Sequence, residues 1–503
     1  MVIPSTRNAK PEVPIKALFL LLVFLFLLLI QEAKCKKIPP PQWTFTEQHD
    51  KFLNTIAVRS KAEVNSVAPG SISSVKMVDG RVFYPIGYGA DPSGEKDSSD
   101  AILDAMKDAF QVGAGGSVLL PGVCDLGGVV IDFQGGNYSI SKPIRFPAPS
   151  IGNVVVQGGT LRASEAFPGN RHLIELWSPN SEKNTDPNNV GIINYEDITF
   201  RDLLLDSSLR GGGIYINDSA RIRIDNCFFI HFTTQGIRVD NGHETFISRS
   251  FLGQRSTVGG DKGEKFFSGT AIDLASNDNA VTDVAIFSAA TGIILRGQAN
   301  ILTGVHCYNK ATAFGGIGIL VKLGGLSQTR IDNCYLDYNA IVMEDPVQVH
   351  VTNGFFLGDA NIVLKSIKGQ ISGLNILNNM FTGDPKNMVP IVKLDGKFTD
   401  IDQVVIDQNN VNGMRLKTTV GKLTVAGKGS EWVADFSSML VFPNRINHFQ
   451  YTFYSRGKSG FMSHAITNIS NNVVIVKSRK VVDGVVSVVV DQDAVKGEKN
   501  FIG

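Results

Sequence analysis

Cysteine, tryptophan and charge are all scarce in this chain, and each shortage excludes something. Five cysteines are spread through 503 residues, too few and too scattered for a disulfide framework, and none stands at zinc-ligand spacing from another. Charged residues make up only 19% of the chain and the formal net charge is +1, which gives no basic surface for nucleic acid; a neutral or modestly charged partner is expected. Three tryptophans stand against 30 phenylalanines, and the 51 glycines are scattered through apolar runs. That pattern belongs to many short strands and tight turns and excludes a helical bundle.

One uninterrupted apolar run is present. The stretch ALFLLLVFLFLLLI, residues 17 to 30, follows Arg7, Lys10 and Lys16 and precedes Ala33, Lys34 and Cys35, small residues standing at the −3 and −1 positions of a cleavage site. Its 14 residues fall short of the roughly 20 that span a bilayer, so residues 1 to 35 read as a secretory signal, with an uncleaved anchor as the alternative. The mature chain is then expected outside the cytosol. Three glycosylation sequons, at Asn137, Asn217 and Asn468, agree with that compartment. Residues 36 to 80 read as an irregular, partly helical lead-in.

From about residue 190 to about 415 one phrase returns: an apolar-alternating stretch, an Asp-Asn or similar turn, then another apolar stretch. It is seen in SARIRIDNCFFIHFTTQGIRV (219 to 239), QTRIDNCYLDYNAIVM (328 to 343) and VHVTNGFFLGDANIVL (349 to 364). Spacings of roughly 20 to 35 residues mark a solenoid, and strands this short leave no room for helical crossovers. The expected fold is all-β: a right-handed, single-stranded parallel β-helix over residues 81 to 415, its aliphatic residues stacked coil on coil. Asparagines at the corners fit left-handed turn positions, and the phenylalanines of CFF and GFF are expected in the interior. Cys307 and Cys334 are expected to stack about 4.8 Å apart on adjacent coils, with Cys227 several coils away.

A solenoid's first coil exposes its core and an unpaired strand edge, so it needs a cap. DSSDAILDAMKDAF supplies one: a Ser N-cap, Asp100 in the first turn, and Ile102, Leu103, Met106 and Phe110 along one face. After about residue 415 the phrase gives way to alternating β-branched stretches such as NVVIVKSRKVVDGVVSVVVDQD, expected to form a small antiparallel β-domain over 416 to 503.

The segment YGADPSGEKDSSDAI, from Tyr88 to Ile102, resembles the YGAxGDGxTDDTxAI opening of pectin-acting β-helix enzymes. From about residue 80 to 500 the chain is similar to plant polygalacturonases of the quartet-three type, in the pectate-lyase-like superfamily. The resemblance implies a secreted cell-wall hydrolase that cuts α-1,4-galacturonosyl linkages of pectic polysaccharide, monomeric and without cofactor or metal. It does not carry the catalytic residues of glycoside hydrolase family 28. Thr233 and Thr234 fall where that family has its acidic pair, and the glycines of RGGGIYI (210 to 216) fall on the position of a third aspartate. NGHETF holds a Gly-His pair but follows its strand, so His243 does not inherit the family histidine's role.

The acids are therefore sought from strand alternation. With Ile237, Val239, Ile272 and Leu274 inward, Arg238, Asp240 and Asp273 face outward, and later coils add Arg296, Lys322 and Glu344 to the same face. Asp240 and Asp273 become diagonal neighbours about 8 Å apart, a separation that suits an inverting pair with a water between its carboxyls. Arg238, Arg296 and Lys322 are the candidate ligands of uronate carboxylates. The bland alternative is a solvated charged face. Glu244 and Asp206 are held in reserve; His231 and His306 read as structural. Two other functions stay open: a calcium-dependent pectate lyase and a non-catalytic pectin-binding solenoid.

Overall fold

The recurring isoleucines become a ladder. Ile214, Ile237, Ile272, Ile293, Ile319, Ile341 and Ile362 lie one above the next on seven parallel strands, each fully buried. Beside them Val239, Leu274, Leu295, Val321, Met343 and Leu364 form a second inward row. At about 1.5–3 kcal/mol per buried aliphatic side chain, two such rows fix the register, because a one-residue slip turns all of them to solvent. The computed structural model describes residues 78–79, 81–112, 118–147, 149–177, 193–255, 267–308, 315–322, 324–457 and 460–493. The expected signal and nearly all of the lead-in lie outside the described residues. Among the described residues, no helix is long and apolar enough to cross a membrane.

The molecule is a parallel β-helix whose coils carry three strands each. One face is built from β1 (His172–Leu176), β2 (Gly212–Asn217), the first half of β3 (Gln235–Ser248), β4 (Thr270–Asn277), β5 (Thr291–Leu295), β6 (Ile317–Val321), β7 (Ala340–Glu344), β8 (Asn361–Lys365) and β9 (Val392–Asp395). β3 bends between Asp240 and His243, and its second half enters a second stack above residues 222 to 225 and below 280 to 282. Strands such as Phe251–Gly253, Ala285–Phe287 and His306–Tyr308 make the third. Between the second and third stacks the corner residue is left-handed in successive coils, with Asn226, Asn333, Asn353 and Asn378 at φ of 51° to 58°. Asparagine tolerates that region because its short amide bonds locally.

Two expectations change in detail. Only the second phenylalanine of each pair is interior: Phe229 and Phe356 are buried, while Phe228 faces outward and Phe355 is 48% exposed. Alternation within a three-residue strand permits nothing else. Cys307 sits over Leu336, not over Cys334, and both thiols are free. The inward residue before His306 is Val305, and its counterpart before Tyr335 is Cys334. Matching the two Cys-Tyr pairs therefore misplaces the register by two residues. Cys227, four coils from Cys334, is free as well.

Helix α1 (Ser99–Gln111) covers the first coil with Ile102, Ala105, Met106 and Ala109 buried and Leu103 and Phe110 partly buried. The ring of Phe110 meets that of Phe146 at 5.4 Å, tying the cap to the core. Ser98 is the N-cap residue, but its hydroxyl accepts a bond from the Asp91 N–H; the Ser99 N–H is satisfied by Asp97 instead. Asp97 also accepts from Ser141 of the coil below the cap. The acids of the opening motif are thus fasteners. Asp91 takes the N–H groups of Ser93, Glu95 and Lys96, and the Ser93 hydroxyl bond leads the causes that hold its carboxyl down to about 2.

The parallel coils run to Asn410–Asn412, and from β10 (Val420–Asp435) pairing turns antiparallel. β13 (Val473–Asp491) pairs with β10, β11 (His448–Ser455) and β12 (His464–Ser470) around a separate core containing Trp432, Phe436, Val476 and Val488. Val441 and Phe442 reach into the coil core, and Arg445, Thr418 and Asp493 bond to backbone groups of Ile401, Ile406 and Val404. These strands and the segment between them cover the last coil, whose Val404 and Ile406 are buried.

Candidate functional site

On β2, β3 and β4 the inward Ile-x-Ile, Ile-x-Val and Ile-x-Leu patterns force the intervening residues out, and most of these are polar. Tyr215, Arg238 and Asp273 form one outward row, and Asn217, Asp240 and Ala275 the next. Arg238 and Asp273 are thus direct neighbours and Asp240 is diagonal to Asp273, the arrangement the alternation implies. The two acids are nevertheless held differently.

Asp240 is paired with Arg238 of its own strand at 2.6 Å, and its side chain is 26% exposed. The Arg238 guanidinium lies over the Tyr215 ring, 5.1 Å from its centroid, and the Tyr215 hydroxyl bonds to Asp240. Burial, then the Asp240 charge, push that hydroxyl above its ordinary range, so it stays a donor. Asp273 is 7% exposed and gives both oxygens to Arg296, at 2.7 Å to Nε and 2.9 Å to Nη2. A bidentate fork of this kind leaves Asp273 little capacity to hold a water. Arg296, expected as a free uronate ligand, is taken up in the same pair. Lys322, two coils beyond Asp273 in the register of these strands, is exposed and makes no ion pair among the described residues. Glu344, further along the face, bonds Lys365 at 3.1 Å.

A carboxyl not singled out from the sequence lies beside Asp240. Asp218 ends the β2 turn in a left-handed conformation, φ 47°, and its N–H donates to the Asp240 carbonyl at 3.1 Å. It is 4% exposed; burial, opposed by the Asn241 amide and reinforced by the Asp240 charge, raises its pKa. Asp218 stands two residues past the last inward residue of β2, Ile216, at the corner where strand alternation stops. In the sequence it is the middle residue of the sequon Asn217-Asp218-Ser219.

The sequons separate by exposure. Asn217 is 5% exposed, with its amide bonded to Asp218 at 3.2 Å and its oxygen accepting from Asn241 at 3.3 Å, so it is a piece of the site floor. Asn137 is half-buried in a strand with its side-chain oxygen enclosed. Asn468 is exposed on β12 and bonds Ser470.

The reserve acids stand elsewhere. Glu244 is on the second stack, within 3.4 Å of Arg221 and 3.3 Å of His243. Asp206 is at the opposite corner, bonded to His231 Nδ1 at 2.7 Å and capping Ser208. On β1, Glu175 is buried and clamped by Arg171 and Arg145, the latter stacked 4.0 Å over Trp177.

His172, next to Glu175 and 5.7 Å from the Tyr215 ring, is pushed down to about 4, chiefly by burial. His306, stacked flat on Tyr335 at 4.1 Å, is also pushed down to about 4 by burial. The sign follows from linkage. Both rings are neutral in folded and unfolded chains above pH 6.5; as pH falls from 6.5 to about 4 only the unfolded chain gains the protons, so stability is lost across that window. For His172 the loss is on the order of 3 kcal/mol. Thermal melts should show a falling Tm from pH 6.5 to 4, and His306→Phe should flatten the slope. An equally steep slope in that variant would assign the acid sensitivity to other groups.

The fold and face define the chain as a parallel β-helix protein with charged side chains along one outer face. No family model matches the chain. It is 52% identical over 453 residues to Polygalacturonase QRT3 of Arabidopsis thaliana, covering 88% of this chain and 92% of that protein. The chain belongs to the polygalacturonase family that this relative represents. Among solved structures it is similar to the A-module of mannuronan C-5 epimerase AlgE6 of Azotobacter vinelandii, at TM-score 0.43 and 13% identity over 65% of this chain and 94% of that one. It is also similar to a tailspike protein of E. coli bacteriophage HK620, at TM-score 0.45 and 10% identity over 88% and 100%.

Proposed function

We propose that this chain is a secreted glycoside hydrolase that cuts α-1,4-galacturonosyl linkages of pectic polysaccharide in the plant cell wall by inversion. The observation that carries the reading is the pairing, in a polygalacturonase-family chain, of a buried acid of raised pKa, Asp218, with the ion-paired Asp240 one coil away. Asp218, whose proton burial helps to hold, is the donor to the leaving glycosidic oxygen; Asp240 accepts a proton from water as that water attacks the anomeric carbon from the opposite side. Asp273, with both oxygens on Arg296, supports this row instead of sharing the chemistry. Tyr215 and Arg238 position Asp240, and Lys322 binds a uronate carboxylate further along the face.

The test is product analysis on de-esterified pectin. Hydrolysis releases new reducing ends without an unsaturated, ultraviolet-absorbing product, and inversion of an α-linkage gives the β-anomer first in a proton NMR time course. An unsaturated product would make the chain a lyase. Saturable binding with no product of either kind would make it a pectin-binding solenoid.

A further inference from the structure

The third stack of the β-helix carries aromatic side chains on its outer surface. Phe355 meets Tyr335 at 6.1 Å, Tyr335 lies parallel to His306, His306 meets Tyr308 at 6.2 Å, and Tyr308 meets Tyr338 at 6.2 Å. Where this chain of rings turns the corner, Tyr338 forms one wall of an open cleft of about 530 Å³. The corner position is left-handed in several coils, at His231, Ser288 and Asp359 as at Tyr338. In the Tyr338 coil it is filled by a large flat ring. Gly358, at φ 61°, lets that ring lie against the backbone: a Cβ there would come within 2.4 Å of it.

The opposite side of the cleft is polar and prearranged. Asp359, 7% exposed, accepts the Asp384 N–H at 2.9 Å and the Asn387 amide at 2.6 Å, which fixes the loop carrying Asp384 and Asn387 at the rim, beside Thr382 at the end of its strand. The Asn387 side-chain oxygen and the Thr382 hydroxyl make no hydrogen bond among the described residues. No lysine or arginine lines the cleft, and its two charged groups are both carboxylates.

We propose that this cleft is a second carbohydrate site, remote from the Asp218–Asp240 pair, that holds a neutral sugar residue. A pyranose or furanose has one apolar C–H face for the Tyr338 ring and hydroxyls on its edge for a carboxylate, an amide and a hydroxyl. The same carboxylates repel a uronate, so the site selects against the polymer proposed for the acid-lined face and takes a neutral glycan unit. A chain with both sites can rest on neutral glycan while its other face meets acidic polymer, and tethering of this kind raises effective concentration without a new catalytic contact.

Binding is measured directly, so the result does not depend on whether the chain hydrolyses anything. The full-length protein is titrated with neutral galacto- and arabino-oligosaccharides and, separately, with oligogalacturonate, by calorimetry and ligand-observed NMR. Saturable binding of a neutral oligosaccharide is expected. It should weaken tenfold or more in Tyr338→Ala and in the rim variant Asn387→Ala, and should not be displaced by oligogalacturonate. Asn387→Ala lies on an exposed loop and keeps the test valid if loss of Tyr338 disturbs the coil. Failure of every neutral oligosaccharide to bind overturns the proposal. So does binding that both variants retain, and so does displacement by oligogalacturonate, which would make the cleft a subsite for acidic substrate.

Discussion

Asp240→Asn is expected to lower turnover of de-esterified galacturonan by about three orders of magnitude, the usual scale for losing a general base. Folding should survive, because Asn keeps the volume and still accepts a bond from Arg238 or Tyr215 on this open part of the face. Asp218→Asn should cost a similar factor for a different reason, and two measurements separate the roles. Activity requires the protonated form of Asp218 and so falls as pH rises through its raised pKa; the Asn variant loses that basic limb. A substrate with a good leaving group, such as an aryl galacturonide, needs no acid and should restore much of the rate to Asp218→Asn but none to Asp240→Asn. Wild-type rates in Asp240→Asn on both substrates would show that this face is not where the bond is cut.

The fold was legible because its signal repeats. Each coil restates the inward aliphatic pair of the Ile ladder, a left-handed corner that is asparagine in several coils, and the length limit that forbids crossovers, so errors in one coil are corrected by the next. Register was less legible wherever a single residue had to decide it. Cys307 and Cys334 share a following tyrosine yet differ by two positions, because the inward aliphatic of the turn sets the stack, not the local dipeptide. The site was half legible. Alternation put Arg238, Asp240 and Asp273 on one face, but it says nothing about which outward charges consume one another. Arg296 stands one coil on and two residues along from Asp273, and the two close into a diagonal fork, which depends on side-chain reach and not on spacing. Asp218 was hidden for a third reason: it occupies a corner, where alternation stops and burial depends on the coil above.

Arg296→Ala is expected to destabilise the protein by roughly 2 kcal/mol, less than the 3–5 kcal/mol of a fully buried pair because the arginine side chain is 38% exposed. The cost arises at the other partner. Asp273, with a side chain only 10% exposed, is left with a charge that water cannot fully reach and no cation to answer it. Replacing both partners by apolar residues, Asp273→Leu with Arg296→Leu, should recover much of the loss, since neither partner of the fork is then left as an unanswered charge. Lys322→Ala is the contrast: with no ion pair to break among the described residues, it should leave Tm unchanged and raise KM for acidic oligomers, by a factor that shrinks as salt is added. Thermal melts and Michaelis curves on the three variants distinguish a structural arginine from a substrate-binding one. If Arg296→Ala kept the parent Tm and raised KM in the salt-dependent way expected of Lys322→Ala, the fork would open for substrate, and Asp273 would return as the partner of Asp240.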